Sequence, residues 1–509
     1  MLRLLRCTAL AKTTGQESNR VMTPLELLNS KKAQILVQAA LAVMVGVLGG
    51  TLVLVQVPPK WKIALLIVVG ALTSALIIRN TKRVLLSALV FVVPFFIGTG
   101  LPSLLTRENH VGLSTSIYIE FMDVLVLALL FLRLAQKANR HGVIRLFPEV
   151  TVPALAWIVV SGLSSAVASD PGLVAIQLFG MGRLFVLYLV VANSVEDEAD
   201  VTWVVWAILL GAFTQGILGS YQAITRHPLG LAFLGEGSDI LQFNMGRSVA
   251  YRAVGTIGHG NGYGMYLSAT MPFALGLLFT DKRRLHKVLA IAVLCVGIIG
   301  LVFSLSRGSW LSFSATCFVI LVLAIHRRRR VGHIGWLFAG AVLLSVIALT
   351  LGQQNLIMDR IKSDDGGAAY ARIALAEGAA RMIRDHPALG VGLNNYSLVM
   401  RKYDMASFGR EGLVIVHNIF LLIAAETGLI GLAVFLWLMA SLMIRAWRIA
   451  SGIVGDTAWV AGVGVLSGLI ALTLHGMVDY AMLANAPLFR LFWLFGAMCV
   501  GLSAKAGHD

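Results

Sequence analysis

Three arginines and a histidine carry the residue types that chemistry on an anion would need. They are Arg252 in "YRAVG", Arg307 in "SLSRGSW", Arg372 in "YARIALAEG" and His417 in "VHNIF". A planar guanidinium can hold a phosphate-like group with two parallel hydrogen bonds and stays charged at any relevant pH. An imidazole, with an ordinary pKa of about 6.5, accepts a proton near neutrality. Together such groups could stabilise negative charge growing on a leaving group and remove a proton from an attacking one. Four further polar residues stand where they could support them: Asn261 in "GHGNGYG", Asn418 beside His417, Glu426 in "AAETGLIG", and Asp479, four residues after His475.

Each residue also fits a simpler role. Arg252 suits an ordinary snorkelling residue at a helix start. Arg307 lies in a tight break between apolar runs, where capping exposed carbonyls competes with anion binding. Arg372 shares its segment with Arg381 and Arg384, which suit solvent or headgroups. A histidine in the position of His417 is also common at a membrane interface. Glu426 falls on nearly the opposite helical face from His417; a carboxylate inside an apolar run is expected to tie its helix to a neighbour, with Gly428 and Gly431 permitting close approach. His475 and Asp479 share a face at i, i+4 spacing, which suits a local helix-end hydrogen bond as well as the orientation of a catalytic group. The glycines of "GHGNGYG" lack the strand and lysine of a phosphate loop and suit a flexible helix start that approaches a lipid headgroup. Cys295, Cys317 and Cys499 lie in apolar runs and Cys7 in the amino-terminal tail, without metal spacing or a disulfide framework.

The elements that must position these residues are membrane helices. Of 509 residues, 58% are hydrophobic and only 13% charged, which sets the chain apart from soluble globular proteins. The net charge of +16 sits in short clusters between apolar runs, a pattern of membrane topology and not of a nucleic-acid groove. Runs near the length of about 20 residues that a spanning helix needs are expected at 33–57, 63–78, 84–100, 121–136, 149–168, 172–193, 201–222, 260–280, 288–305, 309–326, 334–352, 416–442, 457–481 and 487–504. The expectation is an all-α polytopic transmembrane bundle of about 12–14 spans, because lipid satisfies no free backbone groups.

Threading these spans alternately puts "RNTKR" (79–83), "KANRHGVIR" (137–145), "DKRRLHK" (281–287), "RRRR" (327–330) and "RAWR" (445–448) on one side, expected to be cytoplasmic. The acidic run "EDEAD" (196–200) falls there too, at a helix start that favours acidic residues. The expected organisation is a cytoplasmic, uncleaved tail at 1–32, helices 1–11 over 33–352, a long periplasmic loop containing a helix and a turn at 353–415, helices 12–14 over 416–504, and a cytoplasmic end at 505–509. Arg252, Arg307, Arg372 and His417 all fall on the face opposite the basic clusters.

Four segments, "YRAVGTIGHGNGYGMYL" (251–267), "SLSRGSW" (304–310), "ARIALAEGAARMIRDHPALGVGLNNY" (371–396) and "HNIFLLIAAETGLIG" (417–431), resemble in order the bacterial O-antigen ligase and polymerase family, which also includes exopolysaccharide polymerases and protein oligosaccharyltransferases. The resemblance runs from Tyr251 onward. It implies a GT-C-like helical fold in the bacterial inner membrane and a metal-independent, cofactor-free glycosyltransferase working at the periplasmic face. The implied donor is a glycan on undecaprenyl diphosphate. The implied acceptor is a hydroxyl on lipid A core, another glycan or a protein. His417 matches the histidine proposed as base in that family, and Arg252, Arg307 and Arg372 would hold the donor diphosphate. The competing expectation is a small-anion transporter of the bicarbonate type. A transporter should place its polar groups near the midplane in repeated, broken helices, and no clear repeat is visible.

Overall fold

The computed structural model describes residues 81–101, 110–140, 145–237, 242–244, 249–326, 368–403, 415–452 and 454–503. The expected spans at 33–57, 63–78 and 334–352, the two chain ends and the cluster at 327–330 lie outside these residues. The described elements are helices α1 (Thr81–Val92), α2 (Phe121–Arg140), α3 (Pro148–Leu163), α4 (Pro171–Ser194), α5 (Glu198–Thr225), α6 (Gly260–Leu278), α7 (Arg284–Phe303), α8 (Arg307–His326), α9 (Ala368–Asp385), α10 (Tyr396–Val399), α11 (Ile419–Ser451), α12 (Asp456–Gly476), α13 (Ala481–Ala484) and α14 (Ala486–Ser503). Two antiparallel ribbons interrupt them: β1 (Gly98–Leu101) with β2 (Ile117–Glu120), and β3 (Gln242–Asn244) with β4 (Val249–Tyr251).

The protein is an all-α polytopic bundle, and seven of the described helices are long and apolar enough to cross a membrane. The bundle is built around α6, in which every residue except Asn261 is buried. Helices α12, α7, α8 and α5 pack around it, and α11 joins α12 to α3 and α9. Outward-facing apolar side chains such as Phe131, Leu311 and Phe318 stay exposed, as lipid-facing residues should. Helix starts are capped as their sequences suggest: Asp170 accepts from Gly172 N ahead of Pro171, and Asp197 forms a reciprocal box with Asp200. The acidic run at 196–200 also binds Lys82, Arg83 and Arg133, closing one end of the bundle with ion pairs. At that same end Asp281 N donates to Asp456 Oδ2 at 2.9 Å and Lys282 Nζ to Thr457 Oγ1 at 2.9 Å.

Two departures from the expected spans matter for the opposite end. The run at 84–100 stops being helical at Val92, because Pro94 cannot continue the hydrogen-bond ladder, and the chain turns into β1. Fully buried Arg490 takes up the carbonyls this exposes, donating from Nη1 to Val93 O at 3.2 Å and Phe95 O at 2.8 Å. In α11 the backbone leaves helical geometry at Gly428 (φ 73°, ψ 178°), so a 33-residue helix, about 50 Å if straight, becomes a short leg and a long one.

The break in α11 receives the turn after α9. Val391 N donates to Ala425 O and Gly392 N to Glu426 O, both at 2.9 Å, and Leu429 N donates to Pro387 O at 2.7 Å. Tyr396 N donates to Glu426 Oε1 at 3.2 Å. Glu426 therefore ties its helix through the carboxylate to the start of α10 and through its carbonyl to the turn before it. Gly428 makes the close approach, since a Cβ there would run into Ala388 O, whereas Gly431 faces Thr427 of its own helix. Gly428→Ala is expected to cost at least the roughly 1–3 kcal/mol of its glycine-only backbone. A clearly lower unfolding temperature in detergent checks this; unchanged stability would show that the docking is dispensable.

Candidate functional site

At the end of the bundle away from the ion pairs, residues from five separate segments meet. Arg252, on the stretch leading into α6, is buried; its Nε donates to Ser304 O at 2.7 Å and its Nη2 to Asn261 Oδ1 at 2.7 Å. Asn261 passes the connection on, donating from Nδ2 to Asp479 Oδ2 at 2.7 Å. Asp479 is buried just beyond α12, where its Oδ1 also accepts from Ala481 N at 2.8 Å. An arginine, an amide and a carboxylate are thus joined in one chain across the mouth of α6. Gly260 makes this possible, because a Cβ there would collide with the Arg252 guanidinium. The glycines of "GHGNGYG" therefore make room for side chains: Gly264 likewise leaves space for the hydroxyls of Ser304 and Ser309.

His417 lies just outside α11, half-buried, with its ring edge-on to Tyr480 at 5.3 Å between centroids. Its Nδ1 is buried without a hydrogen-bond partner among the described residues. Burial holds its pKa below the usual imidazole value; the Arg372 cation pushes the same way, while Asp479 opposes. Asp479 is raised by burial but lowered more by the nearby His475 and His417, by the Asn261 hydrogen bond and by His259, and ends below the usual carboxylate range. A base must be neutral to accept a proton. If His417 acts as one, activity should hold as pH falls to about 6.5 and decline only below it, through the lowered pKa. A pH–rate profile checks this, and a decline that begins well above 6.5 would contradict it.

The neighbouring residues divide into those that face this centre and those that build it. Arg372 is half-buried on α9, and its charge reaches both His417 and His475. Arg381, on the same helix, pairs instead with Glu377 at 3.7 Å. Arg307 opens α8 beside Gly308, against which the His475 ring packs. Asn418 caps α11, accepting from Phe420 N at 2.9 Å and Leu421 N at 3.0 Å, and donates to Met477 O at 2.9 Å. It therefore fixes His417 against the end of α12. Glu426 lies one loop away, in the docking described above.

Two histidines join the centre that sequence reasoning had not assigned to it. His259 caps α6, its Nδ1 accepting from Asn261 N at 3.2 Å. Buried His475 pairs through Nδ1 with Ser309 Oγ at 3.1 Å. The helix ends at Gly476, so Asp479 lies beyond it and not on the expected shared helical face, although His475 still acts on its charge. The sequence signal for His259 was its place immediately before Gly260 and Asn261. His475 offered only its proximity to Asp479.

Fold and site together define a polytopic membrane protein with a cationic, histidine-containing centre at one end of its helices. Residues 290–436 match the family model described as O-antigen ligase, which supports the resemblance to the O-antigen ligase and polymerase family. The match includes Arg307, Arg372, His417 and Glu426, while Arg252, Asn261 and Asp479 lie outside it. The family supports a membrane glycan-transferring function. No curated protein matches the chain.

Proposed function

We propose that the protein is a glycosyltransferase that moves a glycan from undecaprenyl diphosphate to an acceptor hydroxyl at the periplasmic face of the bacterial inner membrane, as an O-antigen or exopolysaccharide polymerase or ligase. The observation that carries this reading is the Arg252–Asn261–Asp479 chain beside His417, assembled from segments far apart in sequence. In the proposed reaction His417 takes the proton from the acceptor hydroxyl. The oxygen attacks the anomeric carbon, the bond from that carbon to the diphosphate oxygen breaks, and the electron pair leaves with the lipid diphosphate. Arg252 and Arg372, with Arg307 at the start of α8, stabilise the growing diphosphate charge. Asp479 favours the imidazolium that forms on His417. Asn261 and Asn418 hold these groups in place, and Glu426 fixes the loop behind them.

The orientation rests on charge. The basic connections at 281–287 and 445–448 lie at the end opposite the site, and the positive-inside rule makes that end cytoplasmic. A cysteine introduced near Tyr403 should react with an impermeant thiol reagent added outside the inner membrane, whereas one near Arg283 should not; the reverse pattern would overturn the orientation. Function itself is tested by the glycan profile of a strain lacking the protein. Single-unit chains imply lost polymerisation, and polymer accumulating on undecaprenyl diphosphate implies lost ligation. An unchanged profile would contradict both.

A further inference from the structure

A cavity of about 370 Å³ opens beside the candidate site and shares two stretches of chain with it. Thr256 and Ile257 line it, between Arg252 and Asn261 in sequence, and so do Leu483 to Asn485, just after Asp479. Its volume falls within the range of small-ligand clefts, about 300–1,000 Å³. The charges in its wall are matched internally. Arg183 donates from Nε to Asp123 Oδ1 at 2.9 Å and from Nη1 to Tyr118 O at 2.6 Å, and lies 3.3 Å from Glu120 Oε1, which with its partner oxygen also pairs Arg490. Arg183 and Arg490 line the cavity together with Glu120, and Asp123 pairs Arg183 from outside the lining, so two carboxylates offset the two cations and leave little net charge for a diphosphate.

What it offers is neutral hydrogen bonding between apolar faces. Asn485 donates from Nδ2 to Ile257 O at 2.9 Å, but its Oδ1 is buried with no partner among the described residues. Serine and threonine hydroxyls at 114–116 and the rings of Phe96 and Tyr118 complete the wall. The fourth wall is one face of α4, on which Ile176, Gln177, Gly180, Arg183 and Leu184 recur at helical spacing. A glycine inside a helix costs about 1 kcal/mol relative to alanine. Packing does not require this one, since a Cβ at Gly180 would meet nothing within 4 Å. Its missing side chain enlarges the cavity.

We infer that this cavity is a sugar-binding subsite, seating neutral rings of one of the two glycan substrates next to the diphosphate-binding arginines. The inference rests on the transferase reading above for the identity of its ligand. One unpaired amide oxygen, with hydroxyls and aromatic faces around a space whose charges are paired, recognises a hydroxyl-rich ring and gives little advantage to an anion.

Gly180→Trp fills the cavity from a position with free space, and Gly182→Trp adds the same bulk two residues away, outside the lining. The full-length protein in detergent is offered two probes: an oligosaccharide released by mild acid from the producing cell's surface polysaccharide, followed by saturation-transfer NMR, and undecaprenyl diphosphate. Gly180→Trp is expected to weaken oligosaccharide binding by about tenfold or more while binding undecaprenyl diphosphate as the wild type does. Gly182→Trp should bind both, and Arg252→Ala should show the reverse loss. In a transfer assay, a raised KM for acceptor assigns the ring to the acceptor and a raised KM for donor to the donor glycan. Oligosaccharide binding that is unchanged in Gly180→Trp, or absent from the wild type, overturns the subsite. Loss in Gly180→Trp, with a wild type that ignores undecaprenyl diphosphate, upholds the subsite and overturns the transfer reading.

Discussion

His417→Ala is expected to slow glycan transfer roughly 10²- to 10⁴-fold while leaving the protein folded and able to bind donor, because that is about what a positioned general base contributes. Three features of the structure support the expectation. The imidazole lies outside α11 and not in its packed interior, so its removal takes little from the fold. Its lowered pKa keeps it neutral, and hence able to accept a proton, at physiological pH. Asp479 stands where a carboxylate favours the charged product of that transfer. Single-turnover transfer measured beside donor binding separates the two effects. Wild-type transfer by His417→Ala would leave the histidine as an interfacial bystander and would reopen the transporter reading.

Arg252→Ala is expected to cost roughly 10²- to 10³-fold in transfer, the range for removing one donor from a developing anion, and to weaken undecaprenyl diphosphate binding. It also removes the group that Ser304 O and Asn261 Oδ1 bind. A purely structural loss must therefore be told apart from a functional one. Arg252→Lys does this. Lysine keeps the charge but not the planar fork, so it should restore binding in part and remain well below wild type. Arg372→Ala should weaken donor use without loss of stability, since Arg372 is half-buried and acts on His417 through its charge. Normal donor turnover in either alanine variant would remove that arginine from the site.

Much of the site could be read from residue types alone, and little of its wiring could. Arg252, Asn261 and Asp479 each stood out as polar groups at the edges of apolar runs. The bond from Asn261 to Asp479 joins positions 218 residues apart, and no local pattern announces such a contact. Asn418 drew attention through its neighbour His417; its work as a cap follows from its position immediately before an apolar run and was legible in principle. Glu426 was expected to tie its helix to a neighbour, and the partner it finds is the short α10 with the turn before it. The glycine that permits close approach, Gly428, also breaks the helix, and a broken helix presents free carbonyls to a loop. Helical runs were easiest where apolarity was long and uninterrupted. At 84–100 it was equally long, yet Pro94 and the buried Arg490 divert the chain into a ribbon. Hydropathy registers length and misses the single residue that withdraws a backbone donor.

Glycan transfer itself can be followed by reconstitution. The purified full-length protein is placed in lipid vesicles with an undecaprenyl diphosphate-linked glycan and an acceptor taken from the producing cell, and both products are measured. Glycosylated acceptor and free undecaprenyl diphosphate are expected to appear together, one for one, and both to disappear in His417→Ala. Release of neither, from vesicles in which donor and acceptor reach the face bearing Arg252 and His417, would contradict the transfer reading.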